Sequence, residues 1–370
     1  MCASPSRKPG GNLRRGWTTG TCAAAASRAA YRALITGEFP ATVTLRLPKG
    51  ETPVFTPVHT SQTETQAIAG IVKDAGDDPD ITHGALILAT VEFAPPGSGI
   101  SFHAGAGVGT VTRAGLPLPP GEPAINPGPR RIITTALEDE ARDLDQAPHP
   151  DLRITISIPG GAELAAKTLN ARLGIIGGLS ILGTTGVVIP YSCASWIHSI
   201  HRGIDVARAA GLTHLAAATG STSEAAVRDL YGLPEEALLD MGDFVGGTLK
   251  YLRRHPVARL TIAGGFAKIA KLAQGHLDLH SGAGRIELQG LAEILRDLGA
   301  PEEAVLAAAN ATGAGEILEI ARNLGDVTLS ALTNRIAQRA RDVALAELAG
   351  KVALDVAIFD RQGRLAARSE

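Results

Sequence analysis

Three Thr hydroxyls and two Arg side chains crowd Leu13-Arg14-Arg15-Gly16-Trp17-Thr18-Thr19-Gly20-Thr21-Cys22, which runs straight into a string of alanines. A helix starting there presents unpaired backbone N–H groups, and with Arg14, Arg15, Thr18 and Thr19 they make a pocket for an anion. The same composition fits an ordinary helix cap beside a solvated Arg pair. Cys22 falls in the first turn, where a thiol pKa can drop, although its plainer role is a small buried side chain. The block from Lys73 to Gly84 puts Asp74, Asp77, Asp78 and Asp80 close together. Crowded carboxylates raise one another's pKa, so Asp77 or Asp80 can serve as a general base; a tight turn rich in Asp and Gly is the alternative. The spacing lacks the repeat and the closing Glu of an EF-hand.

The block from His103 to Arg113 carries Gly105, Gly107 and Gly109. The third glycine is misplaced for a dinucleotide fingerprint and no helix follows, which rejects that reading. A glycine-rich loop still lets a bulky ligand lie close to backbone. Lys167 and Arg172 stand just before an uncharged run, either as a binding pair or as solvated bases at a helix end. Two turns, Gly220-Ser221-Thr222-Ser223-Glu224 and Gly264-Gly265-Phe266-Ala267-Lys268, follow apolar strands, the place where open α/β sheets bind ligands. Neither is a P-loop. His276, Asp278 and His280 have an H-x-D-x-H spacing without further ligands, so one histidine acting by hydrogen bond is expected and no metal site.

Composition narrows the class. The chain has 370 residues, a formal charge of -2, 45% hydrophobic and 19% charged residues. That excludes a disordered chain and leaves room for two or three domains. The balance also argues against coating nucleic acid or an anionic membrane by bulk charge. Aromatics at 4% are too few for stacking single-stranded bases. Glycine stands out, with 43 residues against an expected share of about 7%. Cys2, Cys22 and Cys193 are too scattered for a disulfide framework or a zinc site. Arg7, Lys8, Arg14 and Arg15 precede no apolar run, so no secretory leader is expected. The stretch from Leu173 to Ile197 holds no charge and is long enough to span a bilayer, but its glycines, hydroxyls and Pro190 suit buried strand and loop. A soluble, cytoplasmic protein is expected.

The elements that must position these residues follow from the pattern. Residues 1–13 read as a frayed lead-in. A helix is predicted from Thr19 or Thr21 to about Ile35, strands at Val43–Leu47 and Val54–Val58, and a short helix at Gln66–Asp74. Ala85–Phe93 and Arg153–Ile158 read as strands, with a helix from Asn126 to near Leu144 between them. Then strands alternate with helices through glycine turns: His214–Thr219, Ser223–Leu230, Arg259–Ala263 and Phe266–Ala273. Helices at Leu291–Leu298, Glu302–Ala309, Gly315–Asn323 and Thr328–Ala349 lead to a last strand at Val352–Phe359. Such alternation implies a parallel, doubly wound sheet. The expected class is α/β (α+β overall), with an α+β domain over 1–195 and a Rossmann-like three-layer α/β domain over 196–370.

In this order the blocks resemble the CbiD family, the cobalt-precorrin-5B C1-methyltransferases of cobalamin biosynthesis. The resemblance rests on Arg15 to Cys22, Lys73 to Gly84, Gly107 to Arg113 and Ala124-Ile125-Asn126. It continues through Lys167 to Gly186, Asp243-Phe244-Val245-Gly246, Lys268 to Gly275 and His280-Ser281. It covers about residues 13–282. Gly265-Phe266-Ala267 departs from the family's Gly-His-Pro-Gly type of turn, and Asp278-Leu279-His280-Ser281 departs from the common His-Thr-His-Ser, which leaves His280 eligible.

The resemblance implies an N-terminal domain similar to one of ribosomal protein S5 and transfer of a methyl group from S-adenosylmethionine to C1 of cobalt-precorrin-5B, giving cobalt-precorrin-6A. The macrocycle's carboxylates would be gripped by Arg14, Arg15, Lys73, Arg113, Arg130, Arg131, Lys167 and Arg172, with Thr18 and Thr19 beside them. Asp77, Asp80 and His280 would act at the reacting ring. Gly220, Ser221, Thr222, Glu224, Gly264, Gly265 and Lys268 would hold the donor. The cobalt belongs to the substrate. Partners would be the small-molecule corrinoid, with neither nucleic acid nor membrane; a homo-oligomer or transient contacts with other pathway enzymes are compatible with it. A corrinoid carrier without chemistry is the competing reading. A small-molecule kinase lacks its phosphate loop and Mg²⁺ carboxylates here.

Overall fold

The structure, a computed structural model, describes residues 12–350 and 352–369. The expected lead-in, with Cys2, Arg7 and Lys8, lies outside the described residues apart from its last two positions. The described chain forms two compact units, one closing at Ser192 and one opening at Cys193.

In the first unit, strand β1 (Gly16–Trp17) leads into helix α1 (Thr19–Thr36). Thr18 caps α1 from an extended backbone, its Oγ1 accepting from the Thr21 N–H at 3.2 Å, and Gly37 at φ 80° ends it. Ala23, Ala24, Ala25, Ala26, Ala29, Ala30 and Ala33 are all fully buried. Side chains this small let α1 be enclosed by neighbours on several sides. A two-stranded ribbon follows, β2 (Val43–Thr44) with β3 (Val54–Phe55), shorter than the strands expected there.

Next come β4 (His59–Gln62), β5 (Gln66–Val72), β6 (Leu86–Phe93) and β7 (Ile100–Ala104), then the short β8 (Gly107–Val108) and β9 (Thr110–Val111). Helix α2 (Pro127–Asp143), β10 (Leu152–Ser157), α3 (Gly161–Ala165), β11 (Ile175–Ile176), β12 (Gly178–Leu179) and β13 (Val187–Val188) complete the unit. The main sheet runs β4-β5-β6-β10-β7, antiparallel except for β10 with β7. α1 packs on β5, β6 and α2. Between α1 and α2, the buried Glu140 accepts from Arg28 Nε at 2.5 Å and from Arg32.

The helix expected over Gln66–Asp74 is strand β5. Its alanines suggest helix, yet Ala67, Ala69 and Ile71 alternate inward and pair in register with Val91, Ala89 and Ile87. Packing against α1 and β6 outweighs local propensity.

The second unit opens with α4 (Cys193–Ala209), so the uncharged run ends in the first residues of a helix. Then follow β14 (His214–Ala218), α5 (Ser221–Tyr231), β15 (Leu238–Asp240), α6 (Val245–Arg254), β16 (Arg259–Gly265) and α7 (Phe266–Ala273). Helices α8 (Leu288–Asp297), α9 (Glu302–Ala309), α10 (Ala314–Asn323) and α11 (Asp326–Leu348) lead to β17 (Ala353–Phe359) and β18 (Leu365–Ser369). The sheet order is β15-β14-β16-β17-β18, parallel except for the edge strand β18. Both faces are covered. Leu215, Ala217, Leu260, Ile262, Val356 and Ile358 join one core with Ile204, Leu249, Ile269 and Ile336 of the helices. Ala216, Ala218, Ala263 and Ala357 face Val227 of α5 on the other side.

Gly105, Gly107 and Gly109 do not leave room for a ligand, contrary to the sequence reading of the block from His103 to Arg113. A Cβ on Gly105 would lie 2.0 Å from Ser157 Oγ, and one on Gly107 2.0 Å from Ile158 O. One on Gly178 would meet the Gly107 carbonyl at 2.3 Å. These glycines let strands of the same chain touch backbone to backbone. Gly107→Ala (φ 77°) is therefore expected to lower stability by about 2–4 kcal/mol. Gly160→Ala shares the positive φ but faces open space, and is expected to cost about 1–2 kcal/mol. Urea unfolding followed by Trp17 fluorescence measures both; equal shifts contradict the packing argument.

Candidate active site

The first two motifs of the sequence meet in the first unit. Arg14 N–H donates to Asp77 Oδ2 at 2.6 Å, Asp77 N–H returns a bond to Arg14 O at 3.0 Å, and Trp17 N–H donates to Asp74 O at 2.8 Å. The approach is so close that a Cβ on Gly16 would sit 2.0 Å from Ala75 C. Arg14 Nη1 reaches Asp74 Oδ2 at 2.5 Å. Asp78 Oδ1 accepts from the Tyr191 N–H at 2.8 Å, and Tyr191 carries a left-handed backbone, φ 56°. Lys73 is buried, and its Nζ donates to Asp80 Oδ2 and Thr82 Oγ1, both at 2.5 Å. All four aspartates are thus taken by groups of the chain itself.

Their electrostatics correct the expectation that crowding raises these pKa values. Hydrogen bonds from Arg14 and from the Gly76 N–H hold the Asp74 carboxyl down at about 2. Burial opposes ionisation of Asp80, but the Lys73 charge and bonds from Lys73 and Thr82 keep it below the usual range. Asp78 moves up, and burial is the main cause, ahead of the Asp80 charge. Cys22 takes the plainer role expected of it: burial pushes its thiol up to about 12, as befits a core side chain.

The Thr hydroxyls are equally engaged. Thr21 Oγ1 donates to Gly186 O at 2.7 Å, so in the 3.1 Å contact with Thr18 Oγ1 it is Thr18 that donates. Thr18 N–H also donates to Gly186 O, at 3.0 Å. Thr19 is buried. A Cβ on Gly128, at the start of α2, would lie 2.2 Å from Gly183 O. The loop over 183–186 therefore ties the starts of α1 and α2 together.

The remaining bases divide into two groups. Arg130 donates to Ile125 O at 2.7 Å and pairs with Glu122 Oε2 at 2.7 Å, its guanidinium lying over Phe102. Its charge holds the loop before α2. Arg113 packs its side chain over Gly174 and donates to Arg172 O at 3.2 Å, which brings the third and fourth motifs together. Arg15, Arg131 and Lys167 are exposed, and Arg15 makes no ion pair among the described residues. Of the predicted grip, Arg113 and Arg172 meet beside Gly174 and Arg15 and Lys167 are exposed, while Arg14, Lys73 and Arg130 serve as scaffold.

In the second unit the chain leaves β14 toward β15 on one side and returns to β16 on the other. The carboxyl ends of β14 and β16 therefore flank a topological switch point, the standard ligand crevice of open α/β sheets. Both predicted turns lie there, each opening a helix. A Cβ on Gly220 or Gly265 would meet nothing within 4 Å, whereas Gly264 packs on Thr219. Lys268 Nζ donates to Thr219 O at 2.7 Å and lies 3.0 Å from Asp243 Oδ1, which has no hydrogen-bond partner of good geometry among the described residues. Lys268 thus links three loops at one end of the sheet. Asp243 was legible only as part of a motif.

Leu279 N–H donates to Asp243 O at 2.9 Å, which carries His280 to the same loops. His280 is exposed, and its Nδ1 accepts from the Gly282 N–H at 3.1 Å, leaving Nε2 to bear the proton of the neutral ring. No group of three His, Cys, Asp or Glu among the described residues is placed to hold a metal ion. No described helix is long and apolar enough to cross a membrane.

Two α/β units, one joined by glycine backbone and one bearing a switch-point crevice, define a protein built to hold a small molecule. Residues 6–190 match the CbiD family model, and residues 278–370 match the model of the CbiD C-terminal domain. A cobalt-precorrin-5B C(1)-methyltransferase of Bradyrhizobium sp. (strain BTAi1) is 59% identical, covering 99% of this chain and 95% of its own. Its counterpart in Methylorubrum extorquens is 58% identical over 96% of this chain and 98% of its own. One in Agrobacterium fabrum is 55% identical over 97% and 94%. The crystal structure of cobalamin biosynthesis protein (cbiD) from Archaeoglobus fulgidus is 27% identical over 69% of this chain and 77% of that one, with a TM-score of 0.39. The chain belongs to the CbiD family.

Two outcomes follow for the acidic loop. Lys73→Met leaves Asp80 without its cation and is expected to cost about 3 kcal/mol or more of stability in urea unfolding. A stability unchanged within error, with ligand affinity lost instead, contradicts the scaffold role. Asp74 and Asp80 have lowered pKa values, so their contribution is complete above the ordinary carboxylate value of about 4. It is lost as pH falls through the folded value, about 2 for Asp74. Acid titration of thermal stability reads this; Asp80→Asn should flatten its slope.

Proposed function

We propose that this chain methylates C1 of cobalt-precorrin-5B to give cobalt-precorrin-6A, using S-adenosylmethionine. The observation that carries the reading is the near-full-length likeness to three proteins named cobalt-precorrin-5B C(1)-methyltransferase. The switch-point crevice adds physical support, because Gly220 and Gly265 leave space where a bound nucleoside would press on backbone.

The second unit holds the donor, with Gly220, Ser221 and Thr222 at the start of α5, Glu224 in its first turn, and Gly264 and Gly265 opposite. Lys268 fixes the spacing of these loops through Thr219 and Asp243. When bound, S-adenosylmethionine supplies an electrophilic methyl carbon on a sulfonium. The first unit holds the corrinoid. Arg15, Arg113, Lys167 and Arg172 meet its peripheral carboxylates, and the exposed Ile176, Leu182 and Ile189 of the uncharged run give apolar contact to a broad ring. Asp77 and Asp80 act as scaffold, Asp77 through the Arg14 backbone and Asp80 through Lys73, while Asp78 holds the backbone at Tyr191. His280 keeps Nε2 available for a hydrogen bond. Alignment of the two reactants supplies most of the acceleration.

Incubation of the full chain with cobalt-precorrin-5B and S-adenosylmethionine carrying a labelled methyl group tests the reaction. Transfer of label to the corrinoid is expected. A corrinoid recovered tightly bound but unlabelled would instead identify a carrier. Arg15→Ala is expected to weaken corrinoid binding by about 1.5–3 kcal/mol with stability unchanged, the scale of a charge-assisted hydrogen bond. Wild-type affinity across Arg15, Arg113 and Lys167 alanine variants overturns the proposed grip.

A further inference from the structure

One cleft of the first unit shares no residue with either proposed ligand site. It has a volume of about 520 Å³ and lies between the β2–β3 ribbon and the helices α1 and α2. That size falls in the range of pockets for small organic ligands. The ribbon forms one wall. Its pairing continues past β2, with Leu45 N–H donating to Pro53 O at 3.0 Å and Leu47 N–H to Glu51 O at 2.9 Å. Val43, Leu45 and Leu47 are buried, while the alternate residues Thr42, Thr44 and Arg46 are exposed and line the cleft.

The opposite wall is a set of ion pairs in which each acid is taken. Glu140, only 1% exposed, is held by Arg28 Nε at 2.5 Å and by Arg32 Nε. Arg28 Nη2 reaches Asp143 at 2.6 Å, and its Nη1 donates to Thr44 O at 2.9 Å. Arg28 is thus a strut that ties the ribbon to α2, with all three nitrogens used. Arg142 pairs with Asp139. Arg32 engages only Nε, so its two terminal amino groups keep their donors for the cleft that it lines. Arg46 makes no ion pair or hydrogen bond among the described residues. Four arginines line the cleft against three acids, and the surplus charge rests on Arg32 and Arg46. A buried carboxylate is costly unless well paired, and Glu140 returns that cost by fixing the edge on which Arg32 is held.

No aromatic ring lines the cleft among the described residues, and its apolar members Val43 and Leu45 belong to the core. A macrocycle face or a nucleobase finds no apolar wall there. We propose that this cleft binds a small, oxygen-rich anion: a phosphate or carboxylate group carried on a hydroxylated skeleton. Arg32 and Arg46 grip the oxyanion from the two walls, since a guanidinium edge suits either group through paired N–H donors. The hydroxyls of Thr42 and Thr52 bond the skeleton.

Calorimetry on the full chain with ribose 5-phosphate and, separately, with citrate tests it. Saturable binding tighter than about 1 mM is expected for at least one, and the one bound identifies the oxyanion. Arg32→Gln and Arg46→Gln should each weaken that binding about tenfold or more, the scale of a charge-assisted hydrogen bond. Arg46 is exposed and unpaired, so Arg46→Gln should unfold at the wild-type temperature without ligand and gain less from added anion than the wild type does. No saturable binding of either anion overturns the site. So does binding that both glutamine variants retain in full, or binding that Arg15→Ala abolishes, which would place the anion among the bases of the corrinoid site.

Discussion

Contact of backbone with backbone, at positions where no side chain fits, is the constraint on which the first unit rests. The run after Leu173 passes Gly178 over Gly107, Gly183 over Gly128 and Gly186 beside Thr21. A Cβ on Gly178 would overlap main-chain atoms of Gly107, its partner in strand pairing, and one on Gly128 would overlap the Gly183 carbonyl. A charged side chain anywhere in this run would need a partner or water, and the run holds none. At its buried positions, such as Leu179 and Ile181, freedom from charge is a packing requirement, whereas Ile176, Leu182 and Ile189 are exposed and face no such limit.

That constraint explains how the basic residues are used. With bulk charge near zero, a polyanionic ring must be met locally, yet each Arg or Lys must also be kept from collapsing onto nearby acids. Asp74, Glu122 and Asp80 bind Arg14, Arg130 and Lys73 and make them part of the frame. Arg15 is held by its neighbours' backbone and keeps its charge outward. Adjacent residues with the same side chain thus differ in their surroundings, decided by which one faces Asp74.

The sequence pattern carried the second unit well. Continuous apolar strands ending in Gly220 and Gly264-Gly265 locate the crevice in the sequence, because a parallel sheet needs buried strands and short turns. It carried the first unit less well. β5 reads as helix by composition, and only its partner β6 decides for strand. The glycines from Gly105 to Gly109 look like a ligand loop, since nothing local distinguishes a glycine that makes room for substrate from one that makes room for its own chain. The aspartates of the acidic loop look like bases for the same reason: their partners Arg14 N–H and Tyr191 N–H are distant in sequence or on the backbone.

The central claim is a division of labour, with the methyl donor held at the switch point of the second unit. Hydrogen–deuterium exchange of the full chain with and without S-adenosylhomocysteine tests it most directly. The account expects added protection at 219–224, 240–246 and 264–268, with the loops over 73–84 and 174–191 unchanged. Protection confined to the first unit would contradict it.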